Sequence, residues 1–199
     1  MDKREIIVRL AQWVTLVAVG VAGRLALVDL PNVAPVAALA MLAGFLGAGR
    51  PVWAVSVPLA TMALSDLVIG GYGLAMMLVV YGALAAPAAL GIGLRRAGRL
   101  TNNSSVWGDG AGVVGASLLS SLFFFVVTNF AVWLGSSTYA ASWQGLAHCY
   151  TRAIPFFRYT LTGDLVFGSL LFGCYAVVLR LSQRWARGTD AALAASRVR

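Results

Sequence analysis

Long runs of apolar residues alternate along this chain with short polar or glycine-containing breaks. A helix needs about 20 predominantly apolar residues to cross the hydrocarbon core of a bilayer. Six segments approach that requirement, and we predict transmembrane helices over residues 6–28, 33–49, 51–70, 72–94, 110–134 and 160–181. The pattern therefore predicts an all-α polytopic membrane protein. It would be a six-transmembrane-helix bundle that forms a single transmembrane domain over residues 1–199.

Prolines and polar stretches indicate where these helices bend and end. Pro58 and Pro87 lie inside predicted spans and are expected to kink them. Two connections are long: residues 95–109 are polar and basic, and residues 135–159 mix aromatic and polar side chains. We expect residues 135–159 to form a loop. We expect the basic, alanine-rich tail, residues 182–199, to be a surface helix or disordered.

Composition supports the membrane assignment and adds an orientation. Hydrophobic residues make up 60% of the 199 positions and charged residues 11%, which is more apolar surface than a soluble domain of this size can bury. The net charge of +8 would suggest nucleic acid in a soluble protein, but Lys and Arg of membrane proteins collect in cytoplasmic loops. With both termini inside, every Lys and Arg except Arg24, Arg152 and Arg158 lies on the cytoplasmic side. We predict an N-in/C-in protein of the bacterial inner membrane that binds no nucleic acid.

An acid at membrane depth, Asp66, is the starting point for predicting a site. An ionisable group within a span is costly and usually faces the bundle interior for a functional reason. The predicted topology places Asp66 in the outer half of the third span and Asp164 about one turn below the outer surface. Other polar and aromatic side chains collect at the same outer end. They predict a substrate-binding site made of Arg24, Asp29, Asn32, Asp66, Tyr72, Asn129, Trp143, His148, Tyr150, Arg152, Arg158 and Asp164.

These residues also have structural interpretations. Asp66 and Asp164 could be solvated at helix ends or could form ion pairs with arginines, because buried acids in membrane bundles usually pair. Asp164 could also cap the start of the sixth helix together with Thr162. The Trp and Tyr side chains could belong to an interfacial aromatic belt. His148 could be an ordinary loop residue rather than a metal ligand.

The sequence contains little that suggests catalysis. Cys149 and Cys174 have neither disulfide nor metal-ligand spacing, and the single histidine excludes a pair of catalytic histidines within one chain. No P-loop pattern is present, so any ATP hydrolysis would take place in another protein. We predict no enzyme activity, no cofactor and no bound metal. A metal-dependent membrane enzyme stays an alternative, because His148, Asp66 and Asp164 are residue types that hold metals.

Small residues in the first predicted span suggest close helix contact. Ala18, Gly20 and Ala22 form a small-residue stripe, and such stripes let a second helix approach closely. The functional interpretation is a docking face for a partner subunit. The structural interpretation is ordinary packing, which uses the same stripes in many membrane bundles.

Four stretches resemble an uncharacterised bacterial family described as transport proteins: PNVAPVAALAMLAGFLGA, PLATMALSDLVIGGY, FFFVVTNFAVWLG and GLAHCYTRAIPFFRYTLTGDLVFGSLLFG. The architecture also resembles the substrate-binding S-component of energy-coupling-factor vitamin transporters, most closely the cobalamin-specific type. That resemblance implies a vitamin held near the outer face. It implies that Ala18 and Ala22 match the Ala-xxx-Ala motif that docks on the energy-coupling transmembrane subunit, which works with ATPases. Some cobalamin-specific relatives bind cobalt through a cysteine near the third helix. This chain has none there, so His148 or Cys149 would have to replace it.

The expected function is therefore that of a substrate-binding membrane subunit for uptake of a vitamin or similar micronutrient, with a cobalamin-type corrinoid as the first candidate. Its partners would be the small-molecule substrate, membrane lipid, the coupling subunit and its ATPases. Two alternatives come from other classes: a structural or assembly subunit whose outer cluster is only ion pairing, and the metal-dependent enzyme.

Overall fold

The computed structural model describes the backbone of residues 2–101 and 104–196, and the side chains as far as Trp185. Within these ranges it contains seven α-helices and no β-strand, which confirms the prediction of an all-α protein. The helices are α1 (Lys3–Ala26), α2 (Val36–Leu46), α3 (Pro51–Ile69), α4 (Leu74–Ala83), α5 (Ala85–Arg96), α6 (Val106–Gly135) and α7 (Trp143–Ser196).

In the described part of the chain, five stretches of helix are long and apolar enough to cross a membrane, and α4 and α5 together form one of them. The chain is thus a helical bundle with several long apolar helices, as expected of a multi-pass membrane protein. The second predicted span, residues 33–49, differs from its prediction. Its helix α2 has 11 residues and is about 16 Å long, roughly half the thickness of the hydrocarbon core. Residues 27–35 instead form turns and irregular backbone between α1 and α2.

The short helix α2 is the buried centre of the bundle. Nine of its 11 residues are buried, and Phe45 packs edge-on against Phe172 with the ring centroids 5.7 Å apart. It touches α5 backbone to backbone, which glycine alone permits. A Cβ atom on Gly91 would lie 1.8 Å from the carbonyl oxygen of Met41, and one on Gly44 would lie 1.9 Å from that of Ala88. An almost fully enclosed helix has no need of a polar face, which explains why its sequence reads as a membrane span.

Contacts between helices place residues predicted to be cytoplasmic at one end of the bundle. Near the start of α1, Arg9 donates a hydrogen bond to the carbonyl of Leu46 at 2.9 Å, and Glu5 pairs with Arg50 at 2.7 Å. Arg95, at the end of α5, lies over the ring of Phe45. We call this end, with Glu5, Arg9, Arg50 and Arg95, the basic end.

The opposite end contains the last turn of α1 and the last turns of α3. Trp13 on α1 donates to Ser56 on α3 at 2.9 Å, and further along Arg24 reaches Asp66 at 2.7 Å. The two helices therefore run in parallel from the basic end. We call the end that contains Arg24 and Asp66 the cavity end.

The two prolines predicted to kink helices behave differently. Helix α3 continues without interruption through Pro58. The fourth predicted span is broken at Leu84, between α4 and α5. Pro87 has no N–H to offer the carbonyl of Ala83, four residues before it, so a helical hydrogen bond is missing at the break.

The predicted loop over residues 135–159 is mostly helix. Helix α7 begins at Trp143, continues through Pro155 and ends at Ser196, so the connection from α6 is only residues 136–142. The tail from residue 182 continues α7 to Ser196, and residues 197–199 lie outside the described part of the chain. Aromatic and polar residues within 143–159, which read as a loop, are compatible with helix because this segment packs along α6.

The end of α6 and the start of α7 form a helical hairpin, residues 129–157, which we call the hairpin tip. Tyr150 donates a hydrogen bond to the carbonyl of Val126 at 2.7 Å, and Trp133 donates to that of Ala140 at 3.0 Å. The ring of Phe125 packs against both Tyr150 and Phe157. These contacts join α6 to α7 and hold the hairpin tip together.

Candidate functional site

A cavity of about 520 Å³ lies at the cavity end, between the α1–α2 connection and helices α3, α4, α6 and α7. The connection forms one wall because it turns back into the bundle, where Gly23 packs against Pro35. Most of the lining is apolar and includes Leu27, Val33, Val36, Ala37, Met62, Met76, Val80, Leu84 and Phe124. Ligand pockets for small molecules are typically about 300–1,000 Å³ and mainly apolar with a few polar groups, so this cavity has the size and character of one.

At the cavity, Arg24 and Asp66 form an ion pair in which each charge is neutralised by the other. Arg24 Nη1 lies 2.7 Å from Asp66 Oδ1 and 2.5 Å from Ser65 Oγ, and Tyr81 donates to Asp66 Oδ2 at 2.6 Å. The Arg24 side chain is 15% exposed and that of Asp66 5%. Arg24 lines the cavity, whereas Asp66 stands behind it. The charges cancel, and the pairing that the sequence left open for Asp66 is present.

The second acid, Asp164, is in a different situation. It is buried, lines the cavity, and accepts a hydrogen bond from Ser121 Oγ on α6 at 2.6 Å. No Lys, Arg or His pairs with it among the side chains described. It lies about 32 Å along α7 from Trp143 and faces Ser121 in the middle of α6. Because it is interior to α7, it cannot cap the start of that helix.

Two further predicted residues, Asn32 and Tyr72, line the cavity. Asn32 adopts a left-handed backbone conformation (φ 59°), which asparagine tolerates better than most residues, and this turns the α1–α2 connection. Tyr72 lies between α3 and α4. Burial, and then the negative charge of Asp66, raise the pKa of its phenol above the ordinary value of 10.0, so the phenol is neutral and can donate a hydrogen bond.

The remaining predicted site residues do not line this cavity: Asp29, Asn129, Trp143, His148, Tyr150, Arg152 and Arg158. Five of them lie in the hairpin tip: Asn129, Trp143, His148, Tyr150 and Arg152. Asn129 donates to the carbonyl of Phe125 at 2.8 Å, and His148 Nε2 accepts from Arg152 Nε at 3.2 Å. They are separated from the cavity because the predicted loop is a helix that carries them past it rather than over it.

Arg158 and Asp29 also lie outside the cavity. Arg158 stacks on the ring of Tyr159 and borders a smaller hollow of about 330 Å³ with Val33 and Phe167. Asp29 is exposed.

The two residues considered as cobalt ligands, His148 and Cys149, lie in the hairpin tip and not in the lining of the cavity. Cys149 is buried and its thiol donates to the carbonyl of Asn129 at 3.5 Å, while His148 is exposed. Neither lines the cavity. Among the side chains described, those of residues 2–101 and 104–185, no three His, Cys, Asp or Glu come together in a way that could hold a metal. His148, Asp66 and Asp164 therefore do not form one ligand set.

Sequence reasoning missed several residues that complete the site. Tyr81 and Ser65 bind the Arg24–Asp66 pair, and Ser121 binds Asp164. A signal for Ser121 was present. Polar residues 117, 121 and 128 recur in the apolar α6 at spacings of four and seven, which places them on one face of a helix. The apolar residues of the α1–α2 connection that line the cavity, such as Leu27, Val28 and Val33, were not predicted, because they lie at the ends of predicted spans.

The small residues of α1 divide between two faces. Ala18 and Ala22 are exposed on the surface of the bundle, whereas Gly20 is buried against Thr61 of α3. A Cβ atom on Gly20 would lie 2.6 Å from the Thr61 methyl group. Gly20 therefore serves packing within the chain, and the exposed pair is Ala18 and Ala22 alone.

Comparison with known proteins identifies a family but no function. Residues 4–187 match the model of a family of unknown function, DUF6580. No curated protein and no solved structure matches the chain.

Proposed function

We propose that this chain, which belongs to the family of unknown function DUF6580, is the substrate-binding membrane subunit of an uptake system for a vitamin or similar micronutrient. Ligand would enter the cavity from outside the cell. The subunit would have no catalytic activity of its own, and energy would come from a coupling subunit and ATPases. The protein would lie in the bacterial inner membrane and cross it with six segments, and both termini would be in the cytoplasm.

The observation that carries this proposal is the cavity itself. A concave space of about 520 Å³, apolar with a few polar groups, has the size and lining of a small-molecule site. It lies at the end away from Arg9, Arg50 and Arg95. By the positive-inside rule we infer that it faces the outside, where a nutrient arrives.

The volume and lining of this cavity limit the range of candidate substrates. Its volume suits a drug-sized molecule, whereas a corrinoid, with its macrocycle and nucleotide loop, is considerably larger. Neither His148 nor Cys149 lines it to bind cobalt. Within the vitamin class, these two observations favour a smaller compound over cobalamin.

The surface of α1 supplies the proposed contact with a partner. Ala18 and Ala22 are exposed one turn apart, so a helix of the coupling subunit could approach their backbone closely. Because α1 is packed mainly through its opposite face, docking there would leave the cavity accessible. The bundle would then reorient as a unit to release its ligand.

The test fills the cavity and asks whether ligand and uptake are lost together. Ala37, which lines the cavity, is changed to Phe, and the matched control is Ala89→Phe at an exposed position of α5. Protein purified without added ligand is analysed by native mass spectrometry for retained small molecules. The same variants are expressed in vitamin auxotrophs that lack their own uptake systems and are grown on limiting vitamin.

The wild type and Ala89→Phe should retain one small molecule and restore growth on one vitamin, whereas Ala37→Phe should do neither. Ala18→Phe should retain the ligand but lose growth, because it blocks only the docking face. If no small molecule is retained and no auxotroph is restored by the wild type, the uptake proposal is wrong.

A structural or assembly subunit is the second candidate, and the Arg24–Asp66 pair favours it. Both carboxylate oxygens of Asp66 are occupied, so this acid can stabilise the bundle without any ligand. That candidate predicts that Ala37→Phe has no effect other than on stability.

A further inference from the structure

The charges around the cavity do not balance. The positive charge of Arg24 is neutralised by Asp66 at 2.7 Å, and Tyr81 occupies the other oxygen of that acid. Asp164 has a single neutral donor, Ser121, and lines the cavity. The cavity therefore contains one carboxyl group that lacks a cationic partner among the described side chains.

Such a group is unusual at this position. Asp164 is 6% exposed, and a carboxylate buried to that extent is costly unless it is paired and hydrogen-bonded. An ionised carboxylate can accept about four hydrogen bonds, and one Ser121 hydroxyl uses one of these acceptor sites. Asp164 is part of the cavity lining, so a ligand in the cavity would lie next to it.

We propose that Asp164 recognises a positively charged nitrogen of the ligand, and that the ligand is an organic cation with an apolar body. This inference rests on the proposed function, since it names the substrate class of the same cavity. A protonated amine would donate to the free oxygen of Asp164, and Ser121 would hold the carboxylate in place.

The apolar side chains that line the cavity suit the apolar body of such an organic cation. Beyond Asp164 the deep lining is formed by side chains such as Met62, Met76, Val80 and Phe124. Apolar walls around one carboxylate strengthen its attraction for a cation, because the local dielectric is low. A ligand with a carboxylate of its own would be repelled by Asp164 and would find Arg24 already paired.

The experiment compares three probes that share one skeleton and differ in charge: 3-phenylpropylamine, 3-phenylpropan-1-ol and 3-phenylpropanoate. The full-length protein in detergent is titrated with each at pH 7. The Kd follows from the rise in unfolding temperature with probe concentration. Variants are Asp164→Asn and, as the matched control, Asp29→Asn, which changes an exposed acid of the α1–α2 connection that does not line the cavity.

The amine should bind the wild type at least about tenfold more tightly than the alcohol, the worth of a charge-assisted hydrogen bond. The carboxylate should bind most weakly. Asp164→Asn should remove the preference for the amine while leaving the Kd of the alcohol unchanged, and Asp29→Asn should keep the preference.

Other results overturn the inference in distinct ways. Equal Kd values for amine and alcohol in the wild type, or a preference for the carboxylate, would refute cation recognition but leave ligand capture intact. An unchanged preference in Asp164→Asn would assign the charge discrimination to another group. Failure of all three probes to stabilise the wild type would count against capture in the cavity altogether. The wild-type comparison is decisive even if Asp164→Asn does not fold.

Discussion

Breaking the Arg24–Asp66 pair should cost far more stability than breaking a surface pair of the same length. Asp66 is 5% exposed in its side chain and Arg24 15%, so removing either partner leaves a charge in an apolar environment. Loss of one partner of a buried ion pair costs about 3–5 kcal/mol. We expect that range for Arg24→Ala. We expect slightly less for Asp66→Asn, because Ser65 still accepts from Arg24.

The chain offers a matched control at its basic end. Glu5 and Arg50 also lie 2.7 Å apart, but their side chains are 42% and 39% exposed. Exposed pairs are worth about 0–1 kcal/mol. A double-mutant cycle on each pair gives the coupling energy free of other effects of the single changes. We expect at least about 2 kcal/mol for Arg24–Asp66 and under about 1 kcal/mol for Glu5–Arg50.

The assay is reversible unfolding of the purified protein in mixed micelles with increasing dodecyl sulfate, followed by circular dichroism without ligand. Tyr81→Phe is added as a third variant, because it removes only the hydrogen bond to Asp66 Oδ2 and should cost about 1.5–3 kcal/mol. If the Arg24–Asp66 coupling is no greater than that of Glu5–Arg50, the buried pair does not stabilise the bundle.

Two further predictions concern packing and orientation. Gly91→Ala should destabilise the protein by about 1–3 kcal/mol or more, since its Cβ would meet the Met41 carbonyl, whereas Gly93→Ala, with open space around it, should be neutral or stabilising in the same unfolding assay. In a variant without native cysteines, Ser137→Cys should react with a membrane-impermeant maleimide added to intact cells, and Ala97→Cys should react only after lysis. The reverse labelling pattern would place the cavity on the cytoplasmic side.

The amino-acid sequence by itself determined the features that depend on local chemistry. Apolar runs of about 20 residues identified the long helices, because a helix alone satisfies its backbone within a membrane. The count of Lys and Arg in successive loops also predicted that Arg9, Arg50 and Arg95 lie at the end of the bundle opposite Arg24 and Asp66. These properties require no knowledge of which helix packs against which.

Tertiary structure decided how the polar groups are used. Whether Asp66 meets Arg24, and whether Asp164 meets an arginine or only Ser121, depends on contacts between residues more than 40 positions apart. Enclosure by its neighbours explains why the short helix α2 is as apolar as a membrane span. The sequence also did not predict the helical start of α7. Contact with α6 stabilises a segment whose own residues resemble a loop. Packing is a property of pairs of surfaces, and a one-dimensional pattern shows only one surface at a time.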